Sequence, residues 1–330
     1  MKWLLAITCA GCISKPSPPT GDYAWRELPL QMGTDAPPRM VYSRLTYDQQ
    51  LEKIVLFGGF RPDFGKTIPE MWSFDGNLWT PECGADGGDP CMNKAQVRSG
   101  FVGTEDRLLS FGGTTDEGQT LSSALYEDRG DGWKPVTTTG GPGEADLATL
   151  VEFRGAVYEV GGYADSNALS DIYRLDGTTW TSIAMTNMAA FANSGNSVIT
   201  ADDDAILAWD DNSNGTSDDM WQFDGKDWLP VCRVMDSNPC SGTRRRDATL
   251  LHIGGVATFL LGGYDDNIVP IAGTMILDGD HFKTYTADGP ARAQAGAAYD
   301  PKRDIGVLFG GDCAANAEDQ CDTTWVFARQ

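Results

Sequence analysis

The residues with the clearest capacity for chemistry in this chain form an acidic, asparagine-rich run at positions 210–218. The run fits the pattern D-x-[DN]-x-[DN]-G-x-x-D, in which alternate side chains point oxygens inward and a glycine permits a sharp bend. Ca²⁺ prefers about six to eight oxygen ligands. We therefore predict a Ca²⁺ site with side-chain oxygens from Asp210, Asn212, Asn214 and Asp218 and the backbone carbonyl of Thr216.

The match to the helical Ca²⁺-binding loop called the EF-hand is incomplete. Its twelfth position is Trp221, which cannot supply the bidentate carboxylate that the EF-hand places there. No helix is expected on either side of the run. The alternative is an acidic hairpin loop that holds no ion.

Six of the eight cysteines fall into three pairs of equal spacing. Equal local spacing favours sequential disulfides, although six cysteines allow about fifteen connectivities. Zinc is the competing explanation, but the pairs lack the short separations and the histidines that zinc sites favour. Each bridge would stabilise the fold by about 2–3 kcal/mol in the chain-entropy model. The predicted bridges are Cys83–Cys91, Cys232–Cys240 and Cys313–Cys321.

Motifs for catalysis are scarce in this sequence. It has two histidines, His252 and His281, and neither a nucleophile motif nor a phosphate-binding glycine loop. His252 lies in an apolar run, which favours a hydrogen-bonded strand histidine over a catalytic base. The net charge of −22 argues against nucleic acid as a partner, because the phosphate backbone would be repelled.

A repeat organises most of the chain. Two consecutive glycines follow a short apolar run at 58–59, 112–113, 161–162, 262–263 and 310–311. A bulky side chain and a second ring seven positions later follow at Trp72/Trp79, Tyr126/Trp133, Tyr173/Trp180, Trp221/Trp228 and Met275/Phe282. Between the two there is usually an Asp-Gly pair, a strong hairpin signal. Each unit is therefore predicted to contain four short strands.

This pattern resembles the kelch repeat. Residues 23–330 divide into six units of roughly 51 residues, near the length of about 50 typical of kelch repeats. The resemblance implies an all-β, six-bladed kelch-type β-propeller. The fourth unit departs from it, because Ala208-Trp209 stands where the glycine pair is expected, and Glu144 replaces the arginine near the start of the third. The Ca²⁺ run resembles the calcium loops inserted between strands of integrin-like propeller blades.

Arginines near the starts of four units also match the kelch pattern. They could converge at the central channel, where they would form part of a site, or they could serve the structure of the repeat. These possible channel-lining residues are Arg39, Arg98, Arg246 and Arg292.

The two ends of the domain predict how the ring closes. The sixth unit stops after its third strand, and residues 23–28 resemble the outer strand that begins at Trp79. An open ring would leave unpaired strand edges, which proteins avoid. We therefore expect the N-terminal strand around Trp25 to complete the last blade.

The first residues are predicted to be an export signal. Residues 1–12 resemble a bacterial lipoprotein signal that ends in Ala-Gly-Cys, with Cys12 the residue that would be lipidated. The alternative is an ordinary cleaved signal without a lipid. Residues 13–22 are Pro-rich and are expected to form a semi-rigid tether. Ile13 is not an aspartate, so we expect an outer-membrane lipoprotein that faces the periplasm or the cell surface.

Together these features predict a non-catalytic, lipid-anchored, extracytoplasmic binding module. The three disulfide loops are expected on one face of the ring, which would be presented to a protein or a glycan. We expect a monomer that contacts the membrane through its lipid only. The alternative is a small sugar-acting enzyme resembling a periplasmic sialic-acid mutarotase. Several arginines plus a carboxylate in one pocket would favour the enzyme, and small apolar lining groups would favour binding.

Overall fold

The computed structural model describes most of the chain from Tyr23 onward. The described residues are 23–29, 36–61, 66–67, 69–84, 91, 98–115, 120–164, 167–169, 171–185, 198–202, 204–210, 219–232, 240, 245–286, 288–313 and 322–330. Within these ranges the chain forms strands, bridges and turns, and no helix. The prediction of an all-β fold is confirmed.

Six four-stranded antiparallel sheets form the blades, each running from an inner strand near the central axis to an outer strand. The first blade contains β2 (Arg44–Asp48), β3 (Lys53–Phe57), β6 (Met71–Phe74) and β7 (Trp79–Cys83). The second contains β8 (Gly100–Gly103), β9 (Leu108–Phe111), β12 (Leu125–Asp128) and β13 (Lys134–Val136). The third contains β14 (Thr149–Phe153), β15 (Ala156–Val160), β18 (Ile172–Asp176) and β19 (Thr179–Ser182).

The other three blades follow the same order. The fourth contains β20 (Val198–Ala201), β21 (Ile206–Asp210), β22 (Asp219–Phe223) and β23 (Trp228–Cys232). The fifth contains β24 (Thr249–Ile253), β25 (Ala257–Leu261), β26 (Thr274–Asp278) and β27 (His281–Thr286). The sixth contains β29 (Gly296–Asp300), β30 (Ile305–Phe309), β32 (Thr324–Arg329) and β1 (Tyr23–Glu27).

Four further pairs of two-residue strands lie outside the blades. They are β4 (Phe60–Arg61) with β5 (Lys66–Thr67), β10 (Thr114–Thr115) with β11 (Thr120–Leu121), β16 (Tyr163–Ala164) with β17 (Asn167–Ala168), and β28 (Arg292–Ala293) with β31 (Asp312–Cys313). The first three occupy links between second and third strands of a blade. The fourth ties such a link to the segment that leads into an inner strand.

The ring has two faces with different connections. Because successive strands are antiparallel, the links between first and second strands and between third and fourth strands share one face, which we call the turn face. The links between second and third strands and between consecutive blades share the other, which we call the loop face. Each inner strand adjoins the next, and β29 adjoins β2. The fold is a six-bladed β-propeller.

The N-terminal strand closes the ring, as predicted. β1 pairs with β32 from Tyr23 opposite Arg329 onward. On the turn face, Asp304 accepts hydrogen bonds from the hydroxyls of Tyr23 at 2.5 Å and Tyr299 at 3.0 Å. Nε of Arg329 lies 2.9 Å from the other carboxylate oxygen. One carboxylate, in the turn between β29 and β30, thus joins the first and third strands of the sixth blade to β1.

The apolar core is divided among the blade interfaces. One cluster of buried side chains lies between each pair of neighbouring blades, including the sixth and first. At that last interface Trp79 is buried, and its indole N–H donates to Thr324 Oγ1 at 2.8 Å. The rings that define the sequence repeat are therefore the side chains that hold the blades together.

The glycine pairs allow neighbouring blades to approach closely. The second glycine donates its N–H to a carbonyl in the segment that leads into the next inner strand. The pairs are Gly113 to Ala145 at 2.6 Å, Gly263 to Arg292 at 2.7 Å and Gly311 to Met40 at 2.9 Å. A Cβ on Gly262, whose φ is +58°, would lie 2.0 Å from the Arg292 carbonyl oxygen. A side chain cannot occupy that space.

The fourth blade replaces this contact with a side chain. Trp209 stands where the second glycine is expected, and its indole N–H donates to the Arg245 carbonyl at 3.1 Å. Arg245 occupies the same place before β24 that Ala145 occupies before β14. The loss of the glycine pair is therefore compensated by a buried tryptophan, since Trp209 is 1% exposed.

The second blade differs from the predicted repeat in one detail. Trp133 lies just before β13 and not within it. Arg129-Gly130 replaces the Asp-Gly pair there, and the turn is longer. Asp128 Oδ1 accepts hydrogen bonds from the N–H groups of Gly130 at 2.8 Å and Gly132 at 3.0 Å.

Candidate functional site

A cavity lies at the centre of the ring. It has a volume of about 350 Å³ and is lined mainly by the six inner strands and the residues that lead into them. A volume of this size suits a small-molecule ligand. Its wall carries both charged groups, among them Arg44, Glu152 and Asp247, and small ones such as Ala248 and Gly296. The lining is thus mixed. It matches neither the several arginines with a carboxylate expected of the enzyme nor the small apolar groups expected of a binding module.

A repeated backbone feature surrounds the mouth of this cavity on the loop face. In five blades the residue two positions before the inner strand has a left-handed conformation without being glycine, a geometry that is uncommon and costs about 1–3 kcal/mol. The residues and their φ angles are Tyr42 (57°), Arg98 (58°), Leu147 (58°), Asp247 (51°) and Gln294 (57°).

Backbone hydrogen bonds join these mouth residues to one another. Tyr42 N–H donates to Gln294 O at 3.0 Å, and Gln294 N–H donates to Asp247 O at 2.9 Å. Leu147 N–H donates to Arg98 O at 3.0 Å. These hydrogen bonds link the mouth residues of blades one, five and six to one another, and those of blades two and three to each other.

The side chains of blades one, five and six form a polar network at the mouth. Gln294 Nε2 donates to Tyr42 Oη at 2.6 Å and to Asp247 Oδ2 at 3.1 Å. Burial raises the pKa of Asp247, although the hydrogen bond from Gln294 and the charge of Arg246 oppose this. The three side chains present oriented donors and acceptors to the cavity.

Tyr264 and Asp312 form a further hydrogen-bonded pair close to this network. The hydroxyl of Tyr264 donates to Asp312 Oδ2 at 2.6 Å. Burial raises the pKa of Tyr264, and the hydrogen bond to Asp312 adds to the effect, together with the charges of Asp312 and Asp247. This side of the mouth is therefore rich in oxygen acceptors.

The side formed by blades one to three carries positive charge. Arg98 Nη2 lies 2.5 Å from Asp146 Oδ2. Arg44 lines the cavity, and its Nε donates to the Ser99 carbonyl at 3.2 Å. Burial raises the pKa of Asp146 despite the two guanidinium groups, whose charges act to lower it. The mouth is thus electrostatically divided into a basic and an acidic side.

The four arginines predicted from the sequence do not occupy equivalent positions. Arg98 is itself a left-handed mouth residue, while Arg246, Arg292 and Arg39 precede the mouth residues of their blades by one, two and three positions. None of the four is among the residues that line the cavity. Arg292 is 8% exposed, and its Nη2 donates to Thr323 Oγ1 at 2.9 Å.

His252 reaches the cavity wall from β24. Its Nδ1 lies 3.0 Å from Thr258 Oγ1 on the neighbouring strand. This contact agrees with the expectation of a hydrogen-bonded strand histidine.

Two of the three predicted disulfides are confirmed. Cys83–Cys91 and Cys232–Cys240 have S–S distances of 2.03 and 2.02 Å and Cα–Cα distances of 5.1 and 5.2 Å. Cys313 is also disulfide-bonded. Its predicted partner, Cys321, lies outside the described residues. Both confirmed bridges lie in links between consecutive blades, and so on the loop face.

The predicted Ca²⁺ ligands lie almost entirely outside the described part of the chain. The backbone of Asp210 ends β21 opposite Asp219, and nothing is described of its side chain. Asn212, Asn214, Thr216 and Asp218 are not described, and neither is Cys12. Within the described residues, no three His, Cys, Asp or Glu side chains gather into a potential metal site.

Comparison of the chain with protein-family models and with curated proteins finds no match in either. In the described residues there is no helix with the length and apolar character needed to cross a membrane.

Of the five mouth residues, sequence reasoning singled out Arg98 alone, although a weak signal for all five exists. Each left-handed residue is followed by Ser or Ala and then by the inner strand. The five small residues are Ser43, Ser99, Ala148, Ala248 and Ala295. The mouth residues themselves share no chemistry, because what repeats is a backbone angle, and no residue type encodes it here.

Proposed function

We propose that this protein is a lipid-anchored, extracytoplasmic binding module that presents the loop face of its propeller to a protein or a glycan. The network of Tyr42, Gln294 and Asp247 would lie at the centre of the binding surface. The disulfide-bridged loops would frame it. We further propose that Cys12 carries the lipid and that the bacterial outer membrane holds the protein.

The observation that carries this proposal is where β1 begins. Tyr23 lies on the turn face, beside Asp304 in the turn between β29 and β30. A tether formed by residues 13–22 would therefore leave the propeller from the turn face. An anchored protein would direct its turn face towards the membrane and its loop face, with the cavity mouth and both bridges, away from it.

Exposed apolar side chains on the loop face support docking of a partner there. Ile268 is 65% exposed and Val269 is 45% exposed, at the tip of the link between β25 and β26. Ile268 has a φ of +62°, which is strained for a β-branched residue. Asp265 holds the turn, since its Oδ1 accepts hydrogen bonds from the N–H groups of Asn267 and Val269 at 2.9 Å. The tip is thus held rigidly with its apolar groups outward.

A glycan array and a pull-down from envelope extracts test the proposal. Wild-type protein is compared with Gln294→Asn, which tolerates the left-handed backbone but is too short to reach both Tyr42 and Asp247. We expect retained partners to be lost or weakened about tenfold, as for loss of a hydrogen bond to a charged group. Lys226→Ala on the turn face is the control. Equal capture by all three proteins would contradict the proposal.

Lipid anchoring has its own test. Cys12→Ser should move the protein from the membrane fraction to the soluble fraction, and metabolic labelling with a fatty acid should mark the wild type alone. Labelling of neither protein would refute the anchor while leaving the binding surface untouched.

A Ca²⁺ ion at positions 210–218 is also proposed. An ion bound only by the folded state stabilises it by about 2.7 kcal/mol at a hundredfold excess over its Kd. Calcium should raise the melting temperature of the wild type, relative to chelator, and leave Asp210→Ala unchanged. Equal shifts in both proteins, or in neither, would mean that the run is an acidic loop without an ion.

The second candidate is the small sugar-acting enzyme resembling a sialic-acid mutarotase. One observation favours it: the pKa of Asp247 is raised by burial, as suits a general acid or base, and the carboxyl adjoins a cavity of ligand size. Exchange of sugar anomers, measured by NMR, should then be accelerated by the wild type. Asp247→Asn should abolish the acceleration and keep ligand binding. No acceleration by the wild type would dismiss the enzyme.

A further inference from the structure

The first residue of each inner strand occupies an equivalent position at the top of the cavity. It follows the left-handed mouth residue by two positions. In five blades these residues are Arg44, Gly100, Thr149, Thr249 and Gly296. Four are glycine or threonine, and one is arginine. The difference matters because this position contacts the neighbouring blade.

In two blades the side chain at this position donates one hydrogen bond to the neighbouring blade. Thr249 Oγ1 donates to the Ala295 carbonyl at 2.9 Å, and Arg44 Nε donates to the Ser99 carbonyl at 3.2 Å. Ala295 and Ser99 are themselves equivalent, since each follows a left-handed mouth residue. A hydroxyl therefore suffices for the link between blades, and a guanidinium has more donors than the link requires.

The two terminal amino groups of Arg44 indicate a role besides the link between blades. Arg44 lines the cavity, and in the described ranges its guanidinium donates only the hydrogen bond to Ser99. Asp146, the carboxylate whose charge acts on Arg44, already lies 2.5 Å from Arg98 Nη2. Two guanidinium groups thus share one carboxylate. Glu152 and Asp247 also line the cavity, but the carboxylate whose charge acts on Arg44 is the shared Asp146.

The cost of this arrangement is visible in the ionisation of Arg44. Burial lowers its pKa, and the charge of Arg98 lowers it further, while Asp146 and Tyr42 act in the opposite direction. An anion in the cavity would remove this imbalance, because a charge taken out of water requires a partner of opposite sign.

We propose that the central cavity binds a small oxyanion, either a carboxylate or a phosphate, through the two terminal amino groups of Arg44. The planar fork of a guanidinium matches two oxygens of either anion. Arg98 and Asp146 form an ion pair beside it, which leaves the two terminal amino groups of Arg44 to the ligand. The site lies inside the cavity and does not depend on what the loop face binds.

Isothermal titration with inorganic phosphate and with acetate, in a buffer low in other anions, tests this site. The wild type should bind at least one of the two saturably. Arg44→Thr copies the residue of the fifth blade, so it keeps the link between blades and removes the surplus donors. We expect its affinity to fall by about ten- to a hundredfold, as for loss of hydrogen bonds to a charged group.

Three comparisons make the result decisive. Arg129→Thr on the turn face removes the same charge far from the cavity and should bind as the wild type does. Arg44→Lys keeps the charge without the planar fork, so its affinity should be intermediate, and it serves if the threonine variant fails to fold. The ratio of phosphate to acetate affinity identifies the preferred class of anion. Absence of binding to the wild type, or equal binding by the wild type and Arg44→Thr, would overturn the proposal.

Discussion

The aspartates at the cavity mouth and those at the inner-strand turns have different partners. In three blades an aspartate at or just after the turn-face end of the inner strand accepts backbone N–H groups of the following turn. Asp300 Oδ1 accepts from Lys302 at 3.0 Å and from Arg303 at 3.1 Å, and Asp202 Oδ1 accepts from Asp204 at 2.8 Å and Ala205 at 2.7 Å. Asp48 does the same in the first blade. These groups are occupied by the chain itself.

At the cavity mouth, on the loop face, Asp146 and Asp247 instead contact the side chains of Arg98 and Gln294. Asp146 and Asp247 both have pKa values raised by burial, which means that their charged forms are held at a cost. The residues at the mouth differ from blade to blade, whereas the aspartate turn recurs in three blades. These turn aspartates therefore stabilise the fold, while the mouth is where the blades differ in side-chain chemistry.

Removing β1 should have the largest effect on the fold. Deletion through Leu28 would expose the edge of β32 and open the interface between the sixth and first blades, where Leu28 is 5% exposed. We expect a loss comparable to much of the roughly 5–15 kcal/mol of typical total stability, seen as aggregation or a sharply lower melting temperature. Deletion of residues 1–22 should leave the melting temperature unchanged. An unaltered melting curve after the longer deletion would contradict closure by β1.

A matched pair of aspartates tests the contrast between the faces directly. Asp300 is fully buried, and its Oδ2 accepts from Arg303 Nη1 at 2.6 Å. Asp300→Ala should lower the free energy of unfolding by about 2–4 kcal/mol, because backbone donors lose their acceptor. Asp247→Asn should be neutral or stabilising at neutral pH, because its raised pKa means that the charged form opposes folding. Chemical denaturation measures both, and equal losses would erase the distinction between the faces.

The two confirmed disulfides should contribute unequally. Each closes a short loop and is worth about 2–3 kcal/mol through the unfolded chain. Cys232 and Cys240 are 3% and 0% exposed and belong to the core between the fourth and fifth blades. Replacing both by serine should therefore lower the melting temperature more than the same change at Cys83 and Cys91. The reverse order would show that burial of the bridge is irrelevant.

High pH should weaken the hydrogen bonds that Tyr23 and Tyr299 donate to Asp304 on the turn face. Burial and the hydrogen bond to Asp304 raise the pKa of Tyr299 to about 12, and the pKa of Tyr23 is raised for the same reasons. The folded state thus holds these protons more tightly than the unfolded state. The stabilisation of the fold by these two protonated tyrosines is complete below the pKa of an unfolded-state tyrosine, about 10, and is lost as the pH rises towards 12. Tyr299→Phe should flatten this alkaline loss in a pH series of melting temperatures. An unchanged slope would place the loss elsewhere.

Much of the fold could be predicted from local sequence signals. Glycine pairs, Asp-Gly turns and rings seven residues apart specify four strands per unit, because each acts within a few residues of itself. The closure by β1 followed from counting, since a sixth unit without an outer strand needs one. The sequential bridges at Cys83 and Cys232 followed from spacing alone. Family membership and function stay predictions, because they depend on more than periodicity.

The candidate site was decided by the tertiary structure. Tyr42, Asp247 and Gln294 belong to three blades and meet only when the ring closes, so no short window of sequence contains them. Their shared feature is a backbone angle, which is set by the hydrogen bonds around the mouth. The significance of Arg44 likewise appears only when its strand is aligned in space with that of Thr249. The sequence by itself determined the repeating scaffold through local geometry, and only the closed ring determined which unlike side chains face one another across the cavity.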